Sequence, residues 1–189
     1  VPLSVDTWKS SGAESCLAAG VEIVNDISGL TFDPEMKATV SRHKAGLVIM
    51  HTRGTPQQMQ QQTGYDDLMG EVSGALKRSL DDALSAGVLR NQIVLDPGIG
   101  FGKDAAGNLQ LLHRLSELRG LGCPLLIGAS RKSFIGTTLQ REATGDRLFG
   151  TAACVALSVA NGAQILRVHD VQAMKDVALM AHAINNLPS

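Results

Sequence analysis

The chain has 189 residues, 44% hydrophobic and 19% charged, with 17 Lys+Arg against 18 Asp+Glu for a formal net charge of −1. That is enough chain for one domain with its own core, and it excludes a disordered or supercharged polymer. One Trp, one Tyr and near-neutrality exclude the basic, aromatic-interleaved face of a nucleic-acid binder, and no apolar run reaches the roughly 18 to 20 residues of a membrane span.

The first strand is predicted at residues 2–6 and the second at 22–25, with Gly20 closing the helix between them. Asp33-Pro34 fits an N-cap followed by proline at the first helical position. Gly46 leads into a third strand at 47–51. The glutamines of 57–62, broken by Met59, read as loop or helix start. Asp66 opens a long helix to about Ala86, which Gly87 closes. The fourth strand is expected at 93–96 and the fifth, after Gly122, at 124–128. The small, apolar stretch 144–160 suits a helix packed tightly on a sheet, and Gly162 precedes a sixth strand at 165–169.

These runs are apolar without alternation, as in strands buried on both faces. Strict strand-helix alternation implies a parallel sheet with right-handed crossovers. A doubly wound sheet and a (β/α)8 barrel both fit. Polar residues stand at or just past the end of every strand: Asp6, Asn25, His51, Asp96, Ser130 with Lys132, and Arg167 with His169. A doubly wound sheet gathers ligand groups near one switch point, whereas every strand of a barrel ends at one mouth. The barrel is favoured. A complete one takes about 250 residues, so this chain reads as a single, N-terminally truncated barrel domain with six of eight parallel strands, residues 1–189.

In LDPGIGFGK (95–103), Asp96 ends a strand and the glycines let the backbone turn and approach a ligand. It is not a P-loop, because Asp104 follows Lys103; a plain turn capped by Asp96 is the structural alternative. In LLIGASRKSF (125–134), Gly128 thins the strand end, and Ser130, Arg131 and Lys132 bring a hydroxyl and two cations to the mouth. Arg167 offers a planar fork for phosphate oxygens and His169 a further donor; Asp170 is expected to cap the next helix. His43, His113 and His182 lie on helices without partners at metal spacing, and His51 alone makes no metal site. Two carboxylates, a carboxamide and several cations suit a ligand with an N–H-rich edge and an anionic tail. Asp accepts two N–H bonds side by side, as an amino-pyrimidinone edge offers them.

The motifs PLSVDT (2–7), NDISG (25–29), MHTRGTPQQMQ (50–60), DPGIGFGK (96–103), GASRKSFIG (128–136) and RVHDV (167–171) resemble, in order and spacing, the dihydropteroate synthase family, over the entire chain. The resemblance implies a (β/α)8 barrel transferase of folate biosynthesis, the target of sulfonamides. Its members join 6-hydroxymethyl-7,8-dihydropterin diphosphate to 4-aminobenzoate, use Mg²⁺ and usually form homodimers through the late helices. It implies that Asp96 clamps the pterin N–H groups, that Asn25 and Asp6 line the same pocket, and that Lys132 reaches the ring oxygen and nitrogen. Arg167 would stack on the pterin and, with His169, hold the diphosphate. Met50, Phe101 and Gly128 would form apolar walls, and Ser130 with Lys132 would border 4-aminobenzoate. Asp6, Lys132, Arg167 and His169 are thus the expected catalytic set.

The family's Mg²⁺-binding Asn and its S-T-R-P-G-like loop are not in this sequence, so the expected metal ligand would precede Val1. Three rival readings remain at this point. One is a methyltetrahydrofolate-dependent methyltransferase barrel, one an aldolase with Lys132 as Schiff base, and one a non-catalytic pterin-binding fragment. Cys16, Cys123 and Cys154 form no CxxC, which points to a reducing cytoplasm.

Overall fold

Branched residues favour extended backbone, and residues able to adopt a left-handed conformation reverse the chain between helix and strand. Residues 1–54 and 62–187 are described by a computed structural model. In chain order they form β1 (Ser4–Asp6), α1 (Ser10–Ala18), β2 (Ile23–Asp26), α2 (Met36–His43), β3 (Gly46–Met50), α3 (Leu68–Ser85), β4 (Ile93–Asp96), α4 (Ala105–His113), β5 (Leu126–Ile127), α5 (Ser133–Leu139), α6 (Leu148–Ala160), β6 (Ile165–Leu166) and α7 (Val171–Asn185). Residues 57–61 of the glutamine-rich stretch and most of the MHTRGTPQQMQ motif lie outside the described residues.

Strands β1 to β4 pair in chain order, all parallel, with Asp6 opposite Asn25, Asn25 opposite Val48 and Met50 opposite Asp96. A parallel bridge between Leu95 and Leu125 carries the sheet on to β5, which pairs with β6. A doubly wound sheet must reverse its strand order; no reversal occurs, and the α/β barrel expectation is borne out as an arc. The arc is not closed: among the described residues, β1 and β6 pair on one side only.

Alternation along the strands positions the site. Val24, Leu47, Ile49, Ile93 and Leu95 join the core cluster shared with the helices. The intervening Asp6, Asn25, Val48, Met50 and Asp96 share the other face. All but Asp6 are buried there, so most of this sheet is covered on both faces.

The ladders are shorter than expected at the late strands, because Pro124 cannot donate and the backbone leaves the sheet after Ile127 and Leu166. Helix α2 begins at Met36, not at Pro34. Asp33 instead accepts from Ser10 N (2.7 Å) and Glu35 N (3.0 Å), joining the starts of α1 and α2. The left-handed residue ending α2 is Lys44 (φ 52), while Gly46 opens β3. Asp67, one residue later than expected, caps α3 by accepting from Gly70 N. The stretch 144–160 divides into a 3₁₀ turn, Thr144–Arg147, followed by α6.

Candidate functional site

Asp96 ends β4 with 1% of its surface exposed. Its Oδ1 accepts from Gly98 N (2.7 Å), and Oδ2 lies 3.3 Å from Arg167 Nη2. Burial pushes the carboxyl upward from the ordinary carboxylate value; Arg167, the Gly98 N–H, Lys132 and Lys103 pull the other way. On the same sheet face, buried Asn25 donates from Nδ2 to Asp6 Oδ1 (2.6 Å). Its Oδ1 is buried and has no hydrogen-bond partner among the described residues. A buried unpaired carbonyl oxygen is costly unless a ligand donor meets it. With Asp96, it makes an acceptor-rich wall for an N–H-bearing ligand.

Opposite stand the cations. Lys132 is bonded to Ile99 O, and its Nζ sits 4.4 Å from the Phe101 ring centroid. Burial holds its pKa down to about 8, with Asp96 opposing. Gly128 plays a part that a role as apolar wall does not describe: a Cβ there would lie 3.1 Å from Arg167 Nε and Nη2, so the bare backbone admits the guanidinium. Gly100 does the same for Lys132, whose Cδ would lie 2.8 Å from a Cβ. Met50 is fully buried on the Asp96 face, and Phe101 is partly exposed beneath Lys132.

Ser130 is buried and bonded to His169: its Oγ accepts from His169 N (3.2 Å) and lies 2.9 Å from Nδ1. With the hydroxyl proton given to Nδ1, the ring proton stands on Nε2, free to donate outward. Asp170 does not cap α7. It takes a two-pronged ion pair from Arg131, Nε to Oδ2 at 3.0 Å and Nη2 to Oδ1 at 2.6 Å, which holds its carboxyl below the usual range. Arg131 is therefore spent on the neighbouring loop, and of the two adjacent cations Lys132 alone reaches the Asp96 cluster.

The ten expected site residues thus fall into three contacting groups: Asp6 with Asn25; Asp96 with Arg167, Gly128, Lys132 and Phe101; and Ser130 with His169. Met50 joins the second through its register with Asp96. Two scaffold residues escaped the sequence reading. Asn108 on α4 accepts from Gly100 N (2.6 Å) and donates to Asp104 O (2.7 Å); nothing in its surroundings marks it. Lys103 is buried against His51, and its place closing the Gly-rich run was the available signal. Among the described residues, no group of three or more His, Cys, Asp or Glu could hold a metal ion.

The family described as pterin binding enzyme matches residues 1–169. A Synechocystis dihydropteroate synthase is 48% identical over 97% of this chain and 64% of its own length. This chain thus spans a little under two thirds of that relative. The Thermus thermophilus dihydropteroate synthase, solved in complex with 6HMPPP, is 41% identical with a TM-score of 0.92, over 97% of this chain and 72% of that one. Its complex with 4-aminobenzoate matches with the same identity and score, over 97% and 74%.

Proposed function

The chain belongs to the pterin binding enzyme family, and from that membership we propose that it carries the pterin and diphosphate sites of a dihydropteroate synthase. The reaction joins 6-hydroxymethyl-7,8-dihydropterin diphosphate to 4-aminobenzoate, giving 7,8-dihydropteroate and diphosphate. The carrying observation is the buried Asp96 carboxylate, held between a backbone N–H and Arg167, on the sheet face that also bears the unpartnered Asn25 Oδ1. The relatives solved with 6HMPPP and with 4-aminobenzoate support both substrate classes.

In this reading Asp96 and Asn25 accept from the amino and ring N–H groups of the pterin. Lys132 donates to the ring's oxygen and nitrogen edge, and Phe101 and Met50 cover its faces. Arg167 stacks on the pterin and, with His169 Nε2, takes the diphosphate. Ser130 and Lys132 border the 4-aminobenzoate position. Breaking the C–O bond leaves positive character on the exocyclic carbon and negative charge on the leaving group; the aniline nitrogen then captures the carbon and loses a proton. Arg167 and His169 stabilise the departing anion, and the Asp6 carboxylate the developing cation. Mg²⁺ is the family's expected cofactor, but the described residues include no carboxylate or histidine group that fits it, and no step here passes through a metal.

Lys132, Arg167 and His169 favour a diphosphate substrate over a methyl-transfer barrel. The three free cysteines agree with a reducing cytoplasm. The proposal extends to a second copy seated on α6 and α7, where Leu157, Met180 and Ile184 are exposed beside an apolar groove of about 520 Å³. Diphosphate release, measured with each substrate alone and with both, tests the activity. Release that needs both supports it; pterin binding without release refutes synthase activity for this chain.

A further inference from the structure

Lys103 has no part in the chemistry above, yet it is 3% exposed and lies directly behind the pterin loop. Its Nζ donates to Phe101 O (2.8 Å) and Gly98 O (3.1 Å) and lies 2.9 Å from His51 Nδ1. An ammonium has three protons and no acceptor, so these three neutral partners match the charged form of Lys103 one for one, while burial holds its pKa down to about 7 against the pull of Asp96. The match requires His51 to accept at Nδ1 and carry its proton on Nε2. Burial together with the Lys103 charge holds the His51 pKa down to about 3, which agrees with a neutral ring.

The three contacts bracket the pocket floor. Gly98 N donates to Asp96 Oδ1, and Phe101 carries the ring under Lys132. His51 follows Met50, and its own N donates to Asp96 O (2.9 Å). A Cβ at Gly98 would collide with the His51 carbonyl oxygen, so the two loops already touch there. We infer that Lys103 is a positioning residue for the pterin: by bridging His51, Gly98 and Phe101 it sets the turn that presents the Asp96 carboxylate and the Phe101 ring. This rests on the pterin reading above.

The test compares binding of 6-hydroxymethyl-7,8-dihydropterin and of inorganic diphosphate, by calorimetry, in the unaltered protein, K103M, H51L, H51N and K103M/H51L. Methionine keeps the apolar length but leaves the Phe101 and Gly98 carbonyls and His51 Nδ1 without their donor, so K103M is expected to melt lower than the unaltered protein while remaining folded at room temperature. It is also expected to bind the pterin at least tenfold more weakly, with diphosphate affinity unchanged within twofold. H51L matches it, the double variant is no worse than either single one, and H51N, whose Oδ1 takes the place of Nδ1, stays within threefold of the unaltered protein. Should K103M fail to fold, the H51L and H51N pair decides alone. Pterin affinity kept within threefold in K103M or H51L, or equal loss of pterin and diphosphate affinity, overturns the inference. If the unaltered protein binds no pterin, the functional reading falls, and this inference with it.

Discussion

Asp96→Asn is expected to weaken pterin binding while leaving the fold as stable or more so. The amide must keep its oxygen toward Gly98 N, which donates at 2.7 Å to Oδ1. That places an NH₂ where Oδ2 stood, facing Arg167 Nη2 and the ligand's N–H, donor against donor. A hydrogen bond to a charged group contributes about 1.5–3 kcal/mol, so losing one corresponds to a roughly 10- to 150-fold rise in Kd. Stability goes the other way. Burial raises the Asp96 pKa despite Arg167, so the ionised carboxylate costs the native state free energy. Between the ordinary carboxylate value and the raised native one, the folded protein holds a proton that the unfolded chain has lost. Stability therefore falls as pH rises through that window and stays lower above it; Asn removes the loss. Arg167, with 39% of its side chain exposed, can turn to water. Calorimetric titration with the dihydropterin, paired with urea unfolding at pH 5 and 8, reads both quantities. A variant that binds pterin normally but unfolds more easily would refute the assignment of Asp96 as a ligand-facing acid held at a cost in stability.

Gly128→Ala brings a methyl 3.1 Å from the Arg167 guanidinium, the movable end of a long side chain. Stability is expected to change by under about 1 kcal/mol, while diphosphate affinity drops several-fold in calorimetry; unchanged affinity would mean that Arg167 does not depend on this opening. Ser130→Ala frees His169 Nδ1 to take the ring proton, and is expected to cost about 1 kcal/mol of diphosphate affinity; nitrogen-15 NMR of His169 would show the tautomer mixture. His51 titrates near 3 when folded and near 6.5 when unfolded. As pH falls through that interval the unfolded chain gains a proton that the native state refuses, and stability declines. His51→Asn is expected to flatten the slope of unfolding free energy against pH between 6.5 and 3, and an unaltered slope would mean that His51 is protonated in the fold.

Strand order and the acid–cation division of the site were legible because each strand ends on a polar residue whose type survives in one sequence position. Asp6, Asn25, Asp96, Lys132, Arg167 and His169 needed only that reading. Contacts between loops were not legible. Arg131 and Asp170 each looked locally occupied, one as a mouth cation and the other as a helix cap, and their 39-residue separation hid the ion pair. Lys103 was passed over because the P-loop comparison turned on the residue after it, while its partner His51 lies 52 residues away. Gly128 was read for what it lacks, a side chain; its value lies in what enters the space, Arg167 from the next strand.

The sheet is hydrogen-bonded unevenly, and the unevenness falls where the ligand would sit. Four residue pairs register β3 with β4, but a lone bridge at Leu95 and Leu125 continues to β5. The acceptors Asp6, Asn25 and Asp96 come from the well-laddered half, whereas Lys132, Arg167 and His169 come from the other. A bound pterin diphosphate, gripped by acceptors on one side and by cations on the other, would act as a stitch across the weakest seam of the arc. Amide exchange at Leu95, whose N donates across that seam to Pro124 O (2.9 Å), would then slow on binding more than exchange within β2 and β3.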